Sequence, residues 1–143
     1  MKADNRGLQR GFTLIELLVV LVILSLLAAL VGPRLFSKLG KGRQVAAAAQ
    51  IKLLEQALDQ YRLDVGSYPT TEQGLGALLE NPGIDNWDGP YLKKGLPKDP
   101  WGRPYMYQCP GQHGEYDLFS YGKDGAPGGD GEDKDVTNWD KGP

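Results

Sequence analysis

Residues 11–32 read GFTLIELLVVLVILSLLAALVG. From Leu17 onward this stretch carries no charge, and Ser25 is its only polar side chain; before that, only Thr13 and Glu16 interrupt the apolar block. At about 1.5 Å per residue, a helix over the block is about 30 Å long, the thickness of a bilayer's hydrocarbon core. The N-terminal part of the chain is therefore read as membrane-inserted. Lys2, Arg6 and Arg10 precede it, a basic leader that keeps the N-terminus on the cytoplasmic side and sends the remainder across. A conventional cleaved signal peptide fits less well, because the apolar run is too long and no small-residue site with a polar flank closes it. Glu16 does not suit a plain anchor. A carboxylate this far into an apolar helix costs about 2.5–3.5 kcal/mol on insertion scales. Either it snorkels to the headgroups or is protonated, or it meets a cationic partner in an assembly.

Working outward, Gly32-Pro33 is expected to interrupt the helix with a kink or local melting, and Gly40 and Gly42 weaken the following turns. From Arg43 the helical signal returns. Ala47, Ile51, Leu54, Leu58 and Tyr61 recur at spacings of 4, 3, 4 and 3, one face of an amphipathic helix, and Gly66 ends it. Residues 67–75 predict a turn into a short helix, with Thr70 and Gln73 as a capping box and Leu75, Leu78 and Leu79 toward a core. Asn81-Pro82-Gly83 stops that helix, and residues 96–104 form a rigid loop with Trp101 as a core plug. Residues 105–108 and 115–120 are strand candidates flanking a turn at 110–114, hence a hairpin, with His113 a solvated residue of the turn.

The second unusual stretch is residues 121–136, which set five acids among five glycines. A disordered acidic tail or solvated loop is the simplest reading. A cation site is the alternative: glycines permit tight curvature, Phe119, Tyr121 and Trp139 can pin the loop ends, and hard carboxylate oxygens on a flexible loop suit Ca²⁺ better than Mg²⁺. The spacing is not that of an EF-hand. Composition narrows the classes further. The chain has 143 residues, room for one small domain, and 20 glycines and 10 prolines that fall mostly in its loop-rich second half. A formal net charge of −2 argues against nucleic-acid binding by bulk charge. Single Cys109 and single His113 leave no intrachain disulfide, no thiolate cluster and no histidine metal site. With no nucleophile–base pair and no phosphate-binding glycine loop, the sequence does not read as an enzyme.

Gly11-Phe12-Thr13-Leu14-Ile15-Glu16, between its basic leader and apolar run, closely resembles the prepilin cleavage and methylation motif. The resemblance implies cleavage between Gly11 and Phe12 by a membrane-embedded prepilin peptidase and N-methylation of Phe12. It also implies that Glu16 pairs with the new N-terminal amine of a neighbouring subunit during assembly. The strings YPTTEQGL (68–75), DPWGRPY (99–105), PGQHGEYD (110–117) and GEDKDVTNW (131–139) are together similar to the major pseudopilins of bacterial type II secretion systems, within the type IV pilin-like family. This second resemblance implies an α+β fold, with a long N-terminal helix packed on a small three-stranded antiparallel sheet and a metal-binding C-terminal loop. The implied domains are a cleaved leader (1–11), a transmembrane and filament-core helix (12–35) and a periplasmic globular domain (36–143). Calcium is the implied cofactor, on Asp124, Asp133 and Asp135 with main-chain oxygens of Tyr121 and Ala126; Asp130 and Glu132 stay open as ligands, and Lys134 must point outward. The implied function is a subunit of the periplasmic pseudopilus that drives folded proteins across the outer membrane. An adhesion or motility pilin is the alternative, but such pilins commonly close a C-terminal loop with a disulfide that Cys109 alone cannot form. The implied partners are further copies in a helical homopolymer, minor pseudopilins, an inner-membrane assembly platform, the prepilin peptidase and, before assembly, membrane lipid; nucleic acid is not among them. The implied location is the inner membrane of a Gram-negative bacterium, single-pass, with the C-terminal domain in the periplasm.

Overall fold

A computed structural model describes residues 10–140. One helix, α1 (Leu14–Val65), dominates it, and three short strands follow: β1 (Met106–Gln108), β2 (Asp117–Ser120) and β3 (Val136–Thr137). The chain divides into two compact units, Met1–Lys38 and Leu39–Pro143.

In the first unit, the described residues are essentially the apolar part of α1, long and apolar enough to cross a membrane. Its large side chains from Leu14 to Phe36 are all exposed within the single chain. Helix continues through Gly32 and Pro33, where an interruption was expected. A lone proline deletes one hydrogen-bonded rung, whereas strong helix formers on both sides, including the alanine run 46–49, sustain the remainder.

The second unit holds the core. α1 contributes Ala47, Ile51, Leu54, Ala57, Leu58 and Tyr61 as one buried face, the expected stripe with Ala57 added. Each fully buried leucine contributes about 2 kcal/mol by leaving water. Gly66 ends the helix at φ +96°, and its N–H returns to the Arg62 carbonyl at 2.8 Å, a left-handed cap that any Cβ would strain.

The expected capping box is formed: Thr70 N–H donates to Gln73 Oε1 (2.9 Å) and Gln73 N–H to Thr70 Oγ1 (3.3 Å). It closes a single turn and not the helix expected there. Gly74, at φ +61°, cannot continue a right-handed helix, so only a 3-10 turn, Leu75–Leu78, comes after it. Ala77 is buried in that turn, while Leu79 is half-buried.

The sheet is an antiparallel meander in the order β1-β2-β3. Tyr107 pairs with Leu118 and Ser120 with Val136. The hairpin stands where the sequence put it, with shorter strands. Central β2 buries Asp117, Leu118 and Ser120, and Tyr105, Tyr116, Leu118 and Val136 close the core against α1. The acidic stretch is thus no tail. It is the connection between β2 and β3, anchored at both ends by the sheet.

Candidate functional site

Two regions carry the chemistry. At the N-terminus, Gly11 and Phe12 precede α1 and are exposed, Phe12 at 91%. The first nine residues of the expected leader, Lys2 and Arg6 among them, lie outside the described residues. Thr13 and Glu16 form a second capping box. Glu16 N–H donates to Thr13 Oγ1 (3.2 Å), while Glu16 Oε2 accepts from Thr13 N–H (3.1 Å) and from Thr13 Oγ1 (3.2 Å). The carboxylate therefore satisfies open donors at the helix start and sits at the positive end of the helix dipole. This local role was not anticipated from sequence, although Thr-x-x-Glu before an apolar run is its signature.

The second region is the β2–β3 loop, residues 121–135. Gly122, at φ +73°, lies so close to the far side of the loop that a Cβ there would stand 2.7–3.0 Å from the carbonyl oxygens of Glu132, Asp133 and Lys134. Lys123 N–H bonds to Glu132 O across the same gap (2.9 Å). Asp124 Oδ1 accepts from Ala126 N–H (3.1 Å) and Asp135 Oδ2 from Gly128 N–H (3.0 Å). Asp135 Oδ1 is buried with no hydrogen-bond partner. Among the described residues, no three His, Cys, Asp or Glu side chains converge as a metal cluster, Asp124, Asp133 and Asp135 included.

Glu132 turns the other way. Its carboxylate pairs with Arg43 (3.3 Å) and Lys123 (3.5 Å), and its stem lies against Gly40, where a Cβ would come within 2.5 Å of Glu132 Cγ. Glu132 thus joins the loop to α1 through its two cations. Lys134 is exposed and points away toward Asp140 (4.0 Å), as its position between acids requires.

Side chains outside the loop hold its backbone. Gln44 Nε2 donates to the carbonyls of Gly131 (3.1 Å), Glu132 (3.3 Å) and Lys134 (3.0 Å). Arg103 donates to those of Gly122 (3.0 Å) and Lys123 (2.8 Å). Buried Asp99 fixes Arg103 in turn: Asp99 Oδ1 accepts from Trp101 N–H (3.1 Å) and Arg103 N–H (2.8 Å), and Asp99 Oδ2 from Ser120 Oγ (2.6 Å). Sequence reasoning missed Gln44, Asp99, Arg103 and Ser120. An aspartate two residues before a Trp-Gly turn signals the local part only.

At the hairpin turn, His113 is more than a solvated residue. Its Nδ1 lies 2.9 Å from Asp117 Oδ2, and its ring stacks on Trp139 with centroids 4.0 Å apart. Burial alone would raise the Asp117 pKa; hydrogen bonds from the His113 side chain and from the Gln112 and His113 amides outweigh it and hold the carboxyl below its ordinary value. Burial pushes the phenols of Tyr105, Tyr107 and Tyr116 well up, so these core tyrosines stay protonated.

A cleavage-type motif heading a membrane-length helix whose C-terminal part packs on a three-stranded meander defines a type IV pilin-like subunit. Residues 6–32 match the prokaryotic N-terminal methylation motif, and residues 34–139 match the family described as type II secretion system (T2SS), protein G. A type II secretion system core protein G of Pseudomonas aeruginosa is 51% identical over 142 residues, covering 95% of this chain and 99% of the relative. One from Vibrio cholerae is 49% identical over 135 residues, covering 92% of each. The crystal structure of the major pseudopilin from the type 2 secretion system of enterohaemorrhagic Escherichia coli matches with a TM-score of 0.62 and 40% identity, over 75% of this chain and 95% of that one. The chain belongs to the type II secretion system protein G family. These matches support the secretion-system reading and not that of an adhesion or motility pilin.

Proposed function

We propose that this chain is the major structural subunit of a type II secretion pseudopilus and not an enzyme. The observation that carries the reading is the exposed apolar half of α1 headed by the methylation motif: a surface of that size needs lipid or neighbouring copies to cover it. In this reading, a prepilin peptidase hydrolyses the Gly11–Phe12 bond with water, and the freed Phe12 amine takes a methyl group from a separate electrophilic methyl donor, whose bond to that methyl breaks as the nitrogen gives up a proton. The subunit waits in the inner membrane of a Gram-negative cell with its globular domain in the periplasm. It then leaves lipid for a helical homopolymer, through contacts with the assembly platform and minor pseudopilins. Glu16 meets the Phe12 amine of a neighbour, an opposite charge that offsets the carboxylate's desolvation. The domain boundaries proposed are 1–11, 12–35 and 36–143.

Calcium belongs to the same proposal, with Asp124, Asp133 and Asp135 and the main-chain oxygens of Tyr121 and Ala126 as ligands. Donor chemistry supports the fit: hard oxygens throughout, one of them the orphaned Asp135 Oδ1. Among the described residues, none of the three aspartates pairs with a lysine or arginine, whereas Glu132 pairs with two. The ion, when bound, would supply positive charge that offsets the repulsion among these carboxylates, so binding and loop order are coupled.

Co-expression with a prepilin peptidase tests the processing and assembly. The mature chain should begin at Phe12 with one added methyl group and form filaments visible by electron microscopy. A chain that keeps residues 1–11, or is cleaved elsewhere, would overturn the assignment. For the metal, melting of the full chain in detergent should rise with calcium and fall with chelator, and Asp124→Ala should remove the difference.

A further inference from the structure

We infer that Gln44 and Arg103 are positioning residues that hold the β2–β3 loop from its two ends, so that its aspartates stay free for a cation; this rests on the calcium proposal. Together these two side chains make five hydrogen bonds to the loop, all to main-chain carbonyls: Gly122 and Lys123 at its start, Gly131, Glu132 and Lys134 at its end. Neither touches a loop carboxylate. A lysine or arginine aimed at Asp124, Asp133 or Asp135 would compete with a cation for the same oxygens; a neutral amide and a guanidinium aimed at carbonyls do not. The carboxylate that does receive cations, Glu132, faces α1 and serves as a strut.

Both holding residues are themselves fixed. Gln44 stands on α1, and Arg103 is set by its backbone bonds to Asp99, whose other oxygen takes the hydroxyl of Ser120 at the end of β2. A glycine-rich segment left unpinned would have to be ordered at the moment of binding and would bind more weakly. Holding the carbonyls in advance removes that cost and leaves the ligands free.

The test compares the full chain in detergent with Gln44→Met, which keeps length and helix propensity but removes the donor, and with Arg103→Lys, which keeps the charge but removes the guanidinium whose Nη1 donates both bonds. Calcium affinity is measured by titration calorimetry. Amide hydrogen exchange over residues 122–134 and the melting temperature are measured in chelator. In each variant, calcium affinity should fall about tenfold or more, loop exchange should accelerate, and the chelated melting temperature should stay within a few degrees of wild type. Unchanged calcium affinity in both variants, with wild type binding normally, overturns the inference alone. A wild-type chain that takes up no calcium overturns the calcium reading and the inference with it.

Discussion

Glu16 has two partners to serve, one in its own chain and one proposed in the next. Within the subunit it closes the capping box with Thr13, a contact worth about 1 kcal/mol. Glutamine can take the same place in the box but carries no charge. Glu16→Gln therefore keeps the helix start and loses the ion pair, while Glu16→Ala loses both. Both should be inserted, cleaved and devoid of filaments by electron microscopy; filaments from Glu16→Gln would show that capping, and not charge, is what assembly needs. At the other end of the chain, Asp117 makes a titration prediction. Its folded pKa is lowered, so its contribution to stability is present above the ordinary carboxylate range and is lost as pH falls through the folded value. Denaturant unfolding should show wild type losing its advantage over Asp117→Asn as pH drops below about 4. A difference independent of pH there would mean that the carboxylate's charge contributes nothing.

Elements differ in how openly the sequence displays them. The buried stripe of α1 and the hairpin turn are local patterns, and period alone places them. The helix expected after Thr70 failed on one residue, because Gly74 takes a left-handed conformation that no periodicity announces. β3 was hidden for another reason. Val136–Thr137 is too short to show alternation, and its partner β2 lies across the entire acidic loop. The supports of that loop are less visible still, since Gln44 reaches carbonyls 87 to 90 residues away. The candidate ligands were legible as residue types, but their supports were not, because support is a matter of tertiary contact. The loop's closeness can be measured by two glycine substitutions. Gly122→Ala must strain φ +73° and push against three carbonyls, whereas Gly128→Ala strains φ +83° with nothing within 4 Å. The first should cost about 3 kcal/mol and the second about 1 kcal/mol, a difference of roughly ten degrees in melting temperature. Equal losses would mean that the loop's two sides are not packed as closely as this.

At the scale of the whole molecule, two solvents divide one chain. Among the described residues, every buried hydrophobic side chain, from Ala47 to Val136, belongs to the unit Leu39–Pro143. The described part of the other unit buries none and exposes its apolar side chains along the helix. Folding and assembly are therefore driven by different surfaces: the first by a core complete within the C-terminal unit, the second by an apolar helix that only lipid or other copies can cover. A fragment of residues 39–143 should consequently fold by itself, since it keeps the α1 face, the sheet, Gln44, Arg103 and the entire loop. It should be monomeric in water, because it lacks the exposed apolar run from Leu14 to Phe36 and keeps few exposed large apolar residues, such as Val45, Leu53 and Leu63. Its melting transition should be cooperative, with a midpoint within a few degrees of the full chain's in detergent, and it should yield no filaments. Analytical ultracentrifugation and calorimetry check both halves of the statement. A fragment without a cooperative transition would mean that residues before Leu39 carry part of the fold, and the division between a folding unit and an assembling unit would have to be withdrawn.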